Sequence, residues 1–189
     1  MVSHDREYRA FEMRVSDGEM SVEGYAAVFE SPTVMYSDGT IDYKEVIDRK
    51  AFDGAQMADV VMNYNHQGKP VARTKNGTLE LFSDDTGLRI RANLSGTEEG
   101  RRLYEEIKGG YIDKMSFAFT VSEDSYDRAT HTRRVLGIQR LYDVAAVDIP
   151  AYDATSISAR SYFSAEAEKM KQAEARAHKI QKIKLLMEV

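Results

Sequence analysis

Apolar and polar residues alternate with a period of two along most of the first 160 residues, and this pattern predicts a chain built mainly of β-strands. Residues 7–15 and 20–30 are predicted to flank a turn at residues 16–18, Ser-Asp-Gly. Further strands are predicted within residues 58–66, 77–81, 88–94, 111–121 and 135–149. Residues 41–53 fit a strand or a short helix, residues 31–40 are rich in turn formers, and residues 122–132 resemble a long polar hairpin tip.

One helix is predicted to interrupt the strands. Ser95 and Glu98 have the spacing of a capping box, with Ser95 as the N-cap. Leu103 and Ile107 then fall on one face, and the glycines at positions 109 and 110 end the helix.

The C-terminal residues differ in character and divide the chain into a β-domain at 1–160 and a helical extension at 161–189. Residues 164–189 contain no glycine or proline, and their six basic and four acidic residues give a net charge of +2. This composition predicts a helix. An apolar stripe interrupted by Lys184 runs along it: Met170, Ala173, Ala177, Ile180 and Met187. The stripe fits packing on its own domain or pairing with a second copy or a scaffold, and we expect the pairing.

Composition excludes several classes of function. The net charge of −5 argues against general nucleic-acid binding, and no apolar run is long enough to span a membrane. The N-terminus lacks an apolar signal region, and the absence of cysteine excludes disulfides, thiolate zinc sites and thiol nucleophiles, which fits a cytoplasmic chain. The four histidines form no close ligand pair, so we expect neither a metal nor a cofactor.

The segment YIDKMSFAFTV, residues 111–121, places a serine at the centre of an apolar strand. With a period of two, one face carries large apolar side chains: Met115, Phe117, Phe119 and Val121. The opposite face carries Ser116, Ala118 and Thr120, which leaves space beside the hydroxyl. Presentation of Ser116 at a cleft and close packing under a neighbouring strand both fit this pattern.

His66 ends the predicted strand VVMNYNH, where a side chain reaches the rim of a sheet. An imidazole at such a position can act as a general base, because its pKa lies near neutral pH. The alternative is a histidine that donates one structural hydrogen bond.

Two aspartates lie in the apolar segment LYDVAAVDIPAYD, residues 141–153. With a period of two, Asp143 shares a face with Leu141, and Asp148 lies on the opposite face. A buried carboxylate needs a donor, and a histidine N–H is one; a surface position or a cap of the turn at Pro150 is the alternative. A hydroxyl, an imidazole and a carboxylate are the three parts of a nucleophilic hydrolase.

The chain resembles the prohead serine proteases of tailed phages, which mature the capsid and are similar to the herpesvirus maturational proteases. The resemblance covers roughly residues 7 to 160 and leaves out the helical tail. It rests on EGYAAVF (23–29), EVIDRKAF (45–52), VMNYNHQGKPVART (61–74), GTLELFSDDTGLRIRANL (77–94), EEIKGGYIDKMSFAF (105–119) and LYDVAAVDIPAYDAT (141–155).

The resemblance implies Ser116 as nucleophile, His66 as base and Asp143 as the acidic member of a catalytic triad. The chain departs from the family pattern with aspartate for glutamate at 143, alanine for serine at 145, and Gln67 where an acid often follows the histidine. Asp148 is therefore the alternative third member. Oxyanion donors are expected among the backbone N–H groups of residues 150–156.

The implied fold is of mixed α+β class: a small, mostly antiparallel β-barrel edged by helices, with a C-terminal helix. The implied activity is acyl-enzyme cleavage of the phage major capsid protein, of scaffold segments and of the protease itself. It would take place inside the prohead, in the cytoplasm of the bacterial host, without nucleic acid or membrane as partner.

Two other functions fit parts of this pattern. An inactive capsid-assembly or scaffold domain would use the C-terminal helix for association. A different hydrolase, such as an esterase, would use the same three residue types, although the G-x-S-x-G elbow of α/β-hydrolases is absent around Ser116.

Overall fold

The computed structural model describes residues 7–15, 20–148 and 157–187. Ten strands and two α-helices lie in these ranges. The elements are β1 (Glu7–Val15), β2 (Ser21–Val28), β3 (Thr33–Ser37), β4 (Asp42–Ile47), β5 (Val61–Tyr64), β6 (Gln67–Arg73), β7 (Leu79–Ser83), β8 (Gly87–Asn93), α1 (Glu98–Lys108), β9 (Lys114–Asp127), β10 (Thr132–Val147) and α2 (Ile157–Met187). The predicted turn at residues 16–18 and the end of the last strand at Pro150 lie outside the described residues.

The strands form one mixed sheet with the order β3-β4-β10-β9-β1-β2-β8-β7. The long hairpin of β9 and β10 forms its centre, and most neighbours are antiparallel. On the side away from β9, the first part of β10 pairs in parallel with β4. Its last part pairs in parallel with β5, which forms a hairpin with β6. The β5–β6 hairpin therefore lies beside the last residues of β10.

The sheet is open, so the expectation of a closed barrel is wrong, while the mostly-β character with a C-terminal helix is confirmed. The path of paired strands ends at β3 and β7, and no described pairing joins these two edges. Phe163 of α2 packs beside Met35 of β3. A helix placed at a sheet edge limits further strand addition without closing the sheet.

The main core consists of residues from the sheet, from the segments that connect its strands and from α1. The large residues of β9 belong to it, as predicted: Met115, Phe117, Phe119 and Val121. Helix α1 contributes Leu103, Tyr104 and Ile107. Its N-cap is Thr97, whose hydroxyl accepts a hydrogen bond from the N–H of Gly100 at 2.9 Å. The prediction of Ser95 as N-cap is therefore wrong, because Ser95 instead donates to the side chain of Asn93.

The first described turns of α2 dock on the domain, whereas residues 171–173 and 175–183 are exposed. Phe163 is fully buried, and Ala167 is 8% exposed. Ala173, Ala177 and Ile180, in the predicted stripe, are exposed. Packing on its own domain therefore accounts for the first turns, and pairing of the remaining stripe with another chain stays a prediction.

A buried arginine joins this helix to the strands. Arg133 of β10 is 1% exposed and donates to Glu7 and Glu45, at 2.8 and 3.1 Å for the shortest bonds. It also donates to Asp124 at 2.6 Å, and its guanidinium lies 4.4 Å from the ring centroid of Tyr162. These carboxylates hold the pKa of Arg133 above its ordinary value despite burial. One cation thus connects four strands and α2.

Candidate active site

Ser116 lies in the middle of β9, with β1 on one side and β10 on the other. Its register partners are both alanines, Ala10 in β1 and Ala145 in β10. The residue is 1% exposed, and its Oγ is buried without a hydrogen-bond partner among the described residues. Since an unsatisfied buried polar group costs about 1–3 kcal/mol, this hydroxyl needs an explanation beyond packing.

Asp143 lies on the same side of the sheet as Ser116, and a β-bulge places it there. Asp143 pairs with Ala118, whereas Leu141, two residues earlier, pairs with Phe119. Leu141 therefore points into the main core and Asp143 points away from it. The expectation that these two residues share a face is wrong, because simple alternation does not include a bulge. Asp143 and Ser116 are diagonal neighbours across two strands, a relation that separates positions by about 7–8 Å.

His66 lies in the two-residue turn between β5 and β6. Tyr64 and Gln67 are register partners across this turn, and Asn65 and His66 have φ values of 48° and 58°. Two consecutive positive φ values are those of a type I′ turn, which suits the twist of a hairpin. The N–H of Asn65 donates to the carbonyl of Ala146 at 2.9 Å, so the turn is bound to the end of β10. This backbone directs the imidazole towards Asp143.

The imidazole of His66 and the carboxylate of Asp143 are in direct contact. His66 Nδ1 and Asp143 Oδ1 are 2.5 Å apart, and the two side chains are 18% and 9% exposed. Because an ionised carboxylate only accepts hydrogen bonds, Nδ1 carries the proton in this pair. In the neutral ring, Nε2 is then the basic nitrogen, and this atom is buried.

Asp148, the alternative acidic residue, makes different contacts. It is exposed, and its carboxylate accepts a hydrogen bond from the Tyr64 hydroxyl at 3.0 Å. This hydrogen bond is the main cause that raises the pKa of Tyr64. The N–H of Asp148 donates to Asn65 Oδ1 at 3.4 Å. Its contacts thus bind the hairpin turn to the chain that follows β10.

A groove of about 900 Å³ opens beside this turn and was not predicted from the sequence. We name it the α1 groove: it lies between helix α1 and the β5–β6 hairpin. The lining residues come from separate parts of the chain. The only sequence signal shared by Val71, Leu103 and Ile112 is their apolar character, which does not identify a groove. Residues 150–156, expected to hold the oxyanion donors, lie outside the described residues.

Within the described part of the chain, no group of three or more histidine, aspartate or glutamate side chains is arranged to hold a metal ion. In the same part, no helix combines the length and apolarity needed to cross a membrane.

Comparison with known proteins relates the chain to a protein family and to a solved structure. A family model described as caudovirus prohead serine protease matches residues 6–176, which includes much of α2 and extends beyond the motifs recognised above. The solved structure of the capsid assembly protease gp21 of bacteriophage T4 has a TM-score of 0.52 and 13% sequence identity to this chain. The similarity covers 77% of this chain and 98% of that one, and at this identity it concerns the fold. No curated protein matches the chain.

Proposed function

Because the chain belongs to the caudovirus prohead serine protease family, we propose that it is a serine endopeptidase acting inside the prohead. Its substrates are segments of the phage major capsid protein, scaffold segments and the protease itself. The observation that carries this proposal is the contact of His66 with Asp143 on the side of the sheet where the buried Ser116 hydroxyl lies.

The three side chains have the roles of nucleophile, base and orienting acid. Ser116 Oγ attacks the peptide carbonyl while His66 Nε2 takes the hydroxyl proton. Asp143 holds the Nδ1–H tautomer and stabilises the imidazolium that forms. His66 then gives the proton to the leaving amine, and an ester between Ser116 and the acyl part of the substrate remains.

Water completes the cycle. His66 removes a proton from the water as it attacks the ester. The imidazolium then gives this proton to Ser116 Oγ as the tetrahedral intermediate collapses, which releases the acid product and restores the hydroxyl and the neutral base. The burial of Ser116 and Asp143 supports these roles, because electrostatic interactions are stronger away from water. The diagonal relation of the two residues leaves a gap that an imidazole can occupy.

Two assays test the proposal. A labelled fluorophosphonate reacts with an activated serine, and co-expression with the capsid protein of the same phage reports peptide cleavage by mass spectrometry. Ser116→Ala and His66→Ala should each abolish both signals, since loss of one triad member costs roughly 10⁶-fold in a well-measured protease.

Matched controls separate activity from folding. Ser122→Ala changes an exposed serine on the same strand, and His178→Ala changes an exposed histidine on α2. Both should label and cleave like the unaltered chain. Normal capsid processing by Ser116→Ala would refute the proposal, and labelling without any peptide cleavage would favour an esterase.

A further inference from the structure

The α1 groove adjoins the proposed catalytic residues at one end. Asn65 and Gln67, which flank His66 in the hairpin turn, both line it. Ile112, four residues before Ser116, and Asp148, five residues after Asp143, also line it. The groove is therefore lined by residues that adjoin all three elements of the proposed triad.

The spacing along the strands gives the separation between Ser116 and the groove in the direction of the strands. Ser116 pairs with Ala145, and Asp148 follows Ala145 by three residues. At about 3.3 Å per residue, Asp148 lies about 10 Å along the sheet from the serine. An extended substrate has nearly the same rise per residue. The groove floor belongs to the main core, and Ser116 lies on the opposite side of the sheet. A chain with its cleaved bond at Ser116 therefore reaches the groove around the end of β10, with a side chain at least three residues away.

The floor of the groove is apolar. Val71, Leu103 and Ile112 line it and are 8%, 3% and 5% exposed. They come from β6, from α1 and from the segment before β9, so the floor is part of the folded core. The groove volume of about 900 Å³ is within the range of sites that enclose small ligands or several side chains. An aliphatic side chain is the group that such a floor accommodates.

The rim of the groove is negatively charged. Its two cations are already paired, Lys69 with Glu99 at 3.1 Å and Arg102 with Glu98 at 2.6 Å. Glu106 also lines the groove, and the structure describes no ion pair for it among residues 7–15, 20–148 and 157–187.

Asp148 adds a second carboxylate at the end of the groove near the hairpin turn, where it accepts from Tyr64. The hydrogen bond to Asp148 is the largest cause that raises the pKa of Tyr64, burial is the second, and the charge of Glu106 makes the smallest contribution. A positively charged side chain complements these two carboxylates.

We propose that the α1 groove is a specificity subsite that binds a lysine or arginine beside an aliphatic residue, at least three residues from the cleaved bond. The inference rests on the proposed protease function for its position in the substrate. The binding of such a segment does not depend on catalysis and is measured separately.

Binding is measured with Ser116→Ala protein and a fluorescein-labelled peptide of the sequence KIQKIKLLM, in which lysines stand among aliphatic residues. A second peptide carries glutamate in place of the three lysines. The lysine peptide should bind more tightly. Glu106→Lys in the same background should weaken binding of the lysine peptide about tenfold, because the attraction between Glu106 and a peptide lysine is replaced by repulsion between two lysines.

Glu105→Lys is the matched control, because Glu105 is an exposed neighbour on α1 that does not line the groove. It makes the same change to the net charge of −5, so general attraction of a basic peptide affects both variants equally. We expect Glu105→Lys to bind within twofold of its parent. Equal binding by the two variants overturns the proposal.

Cleavage of a proteome-derived peptide library, read by mass spectrometry, tests the position of the subsite. The unaltered chain should enrich lysine or arginine at one position, three or more residues from the cleaved bond, and Glu106→Lys should lose this enrichment while Glu105→Lys keeps it. Fluorophosphonate labelling of Ser116 reports the protease function independently. Charge-dependent binding without labelling refutes the proposed protease function and supports binding of a basic segment in the α1 groove. Labelling with an unchanged cleavage profile in Glu106→Lys refutes the proposed specificity subsite.

Discussion

Asparagine in place of Asp143 tests the proposed orienting acid with almost no change of shape. The bond from His66 Nδ1 to Asp143 Oδ1 is 2.5 Å long, and Asp143 is 6% exposed, so water cannot readily replace the carboxylate. A hydrogen bond to a charged group contributes about 1.5–3 kcal/mol. The asparagine amide can also donate to Nδ1, which moves the ring proton to Nε2 and removes the base. Loss of the bond and reversal of the tautomer together should slow turnover about 10⁴-fold, or about 5.5 kcal/mol.

The measurement is the rate of fluorophosphonate labelling under single-turnover conditions, together with the rate of capsid-protein cleavage. Asp148→Asn is the control, because this exposed carboxylate accepts from Tyr64, and its rates should stay within about tenfold of the unaltered chain. Thermal unfolding should be similar for both variants. If Asp148→Asn is the slow variant and Asp143→Asn is nearly normal, the assignment of Asp143 is wrong and Asp148 is the orienting acid.

Two further predictions concern stability and assembly. Arg133→Met should lower the free energy of unfolding in urea by about 3–5 kcal/mol, because it leaves buried carboxylates without their cation, whereas Arg134→Met, at a side chain 38% exposed, should cost at most about 1 kcal/mol. Similar losses for the two arginines would contradict this account. A chain ending at Lys171 keeps the docked turns of α2, so it should melt like the full chain. In light scattering it should contain fewer chains per particle, because it lacks the exposed Ile180 and Ile183. The same number of chains per particle would show that these residues do not mediate association.

The parts of the site that the sequence predicted are those set by local periodicity. Alternation along residues 115–121 predicted which face of β9 enters the core, because that strand is regular through the segment. Histidine at the end of β5 was predicted to lie at a rim, and it lies in the hairpin turn that follows the strand. The contact between His66 and Asp143 depends on parallel pairing of β5 with β10, which local pattern does not encode.

Local deviations account for most of the errors. The segment with Gly68 and Pro70 contains two turn-forming residues and was not predicted as a strand, yet it forms β6, which pairs only with β5 among the described strands. Proline is tolerated on such an edge because one side of the strand needs no ladder bonds. Strand β3 was missed because Met35 is its one buried residue. The Arg133 cluster joins residues up to 126 positions apart, and single-sequence patterns carry no signal for it.

The bulge in β10 has a consequence for how related chains can differ in length. Between Leu141 and Asp143 this strand takes two residues where β9 takes one step, from Phe119 to Ala118. Deleting Tyr142 would remove the bulge and leave the leucine and the aspartate opposite their present partners. A deletion between Asp143 and Val147 would instead exchange the two faces of the strand. Homologous sequences can therefore lose one residue at position 142 and keep the acid in place, and an alignment gap belongs there rather than in the apolar run that follows.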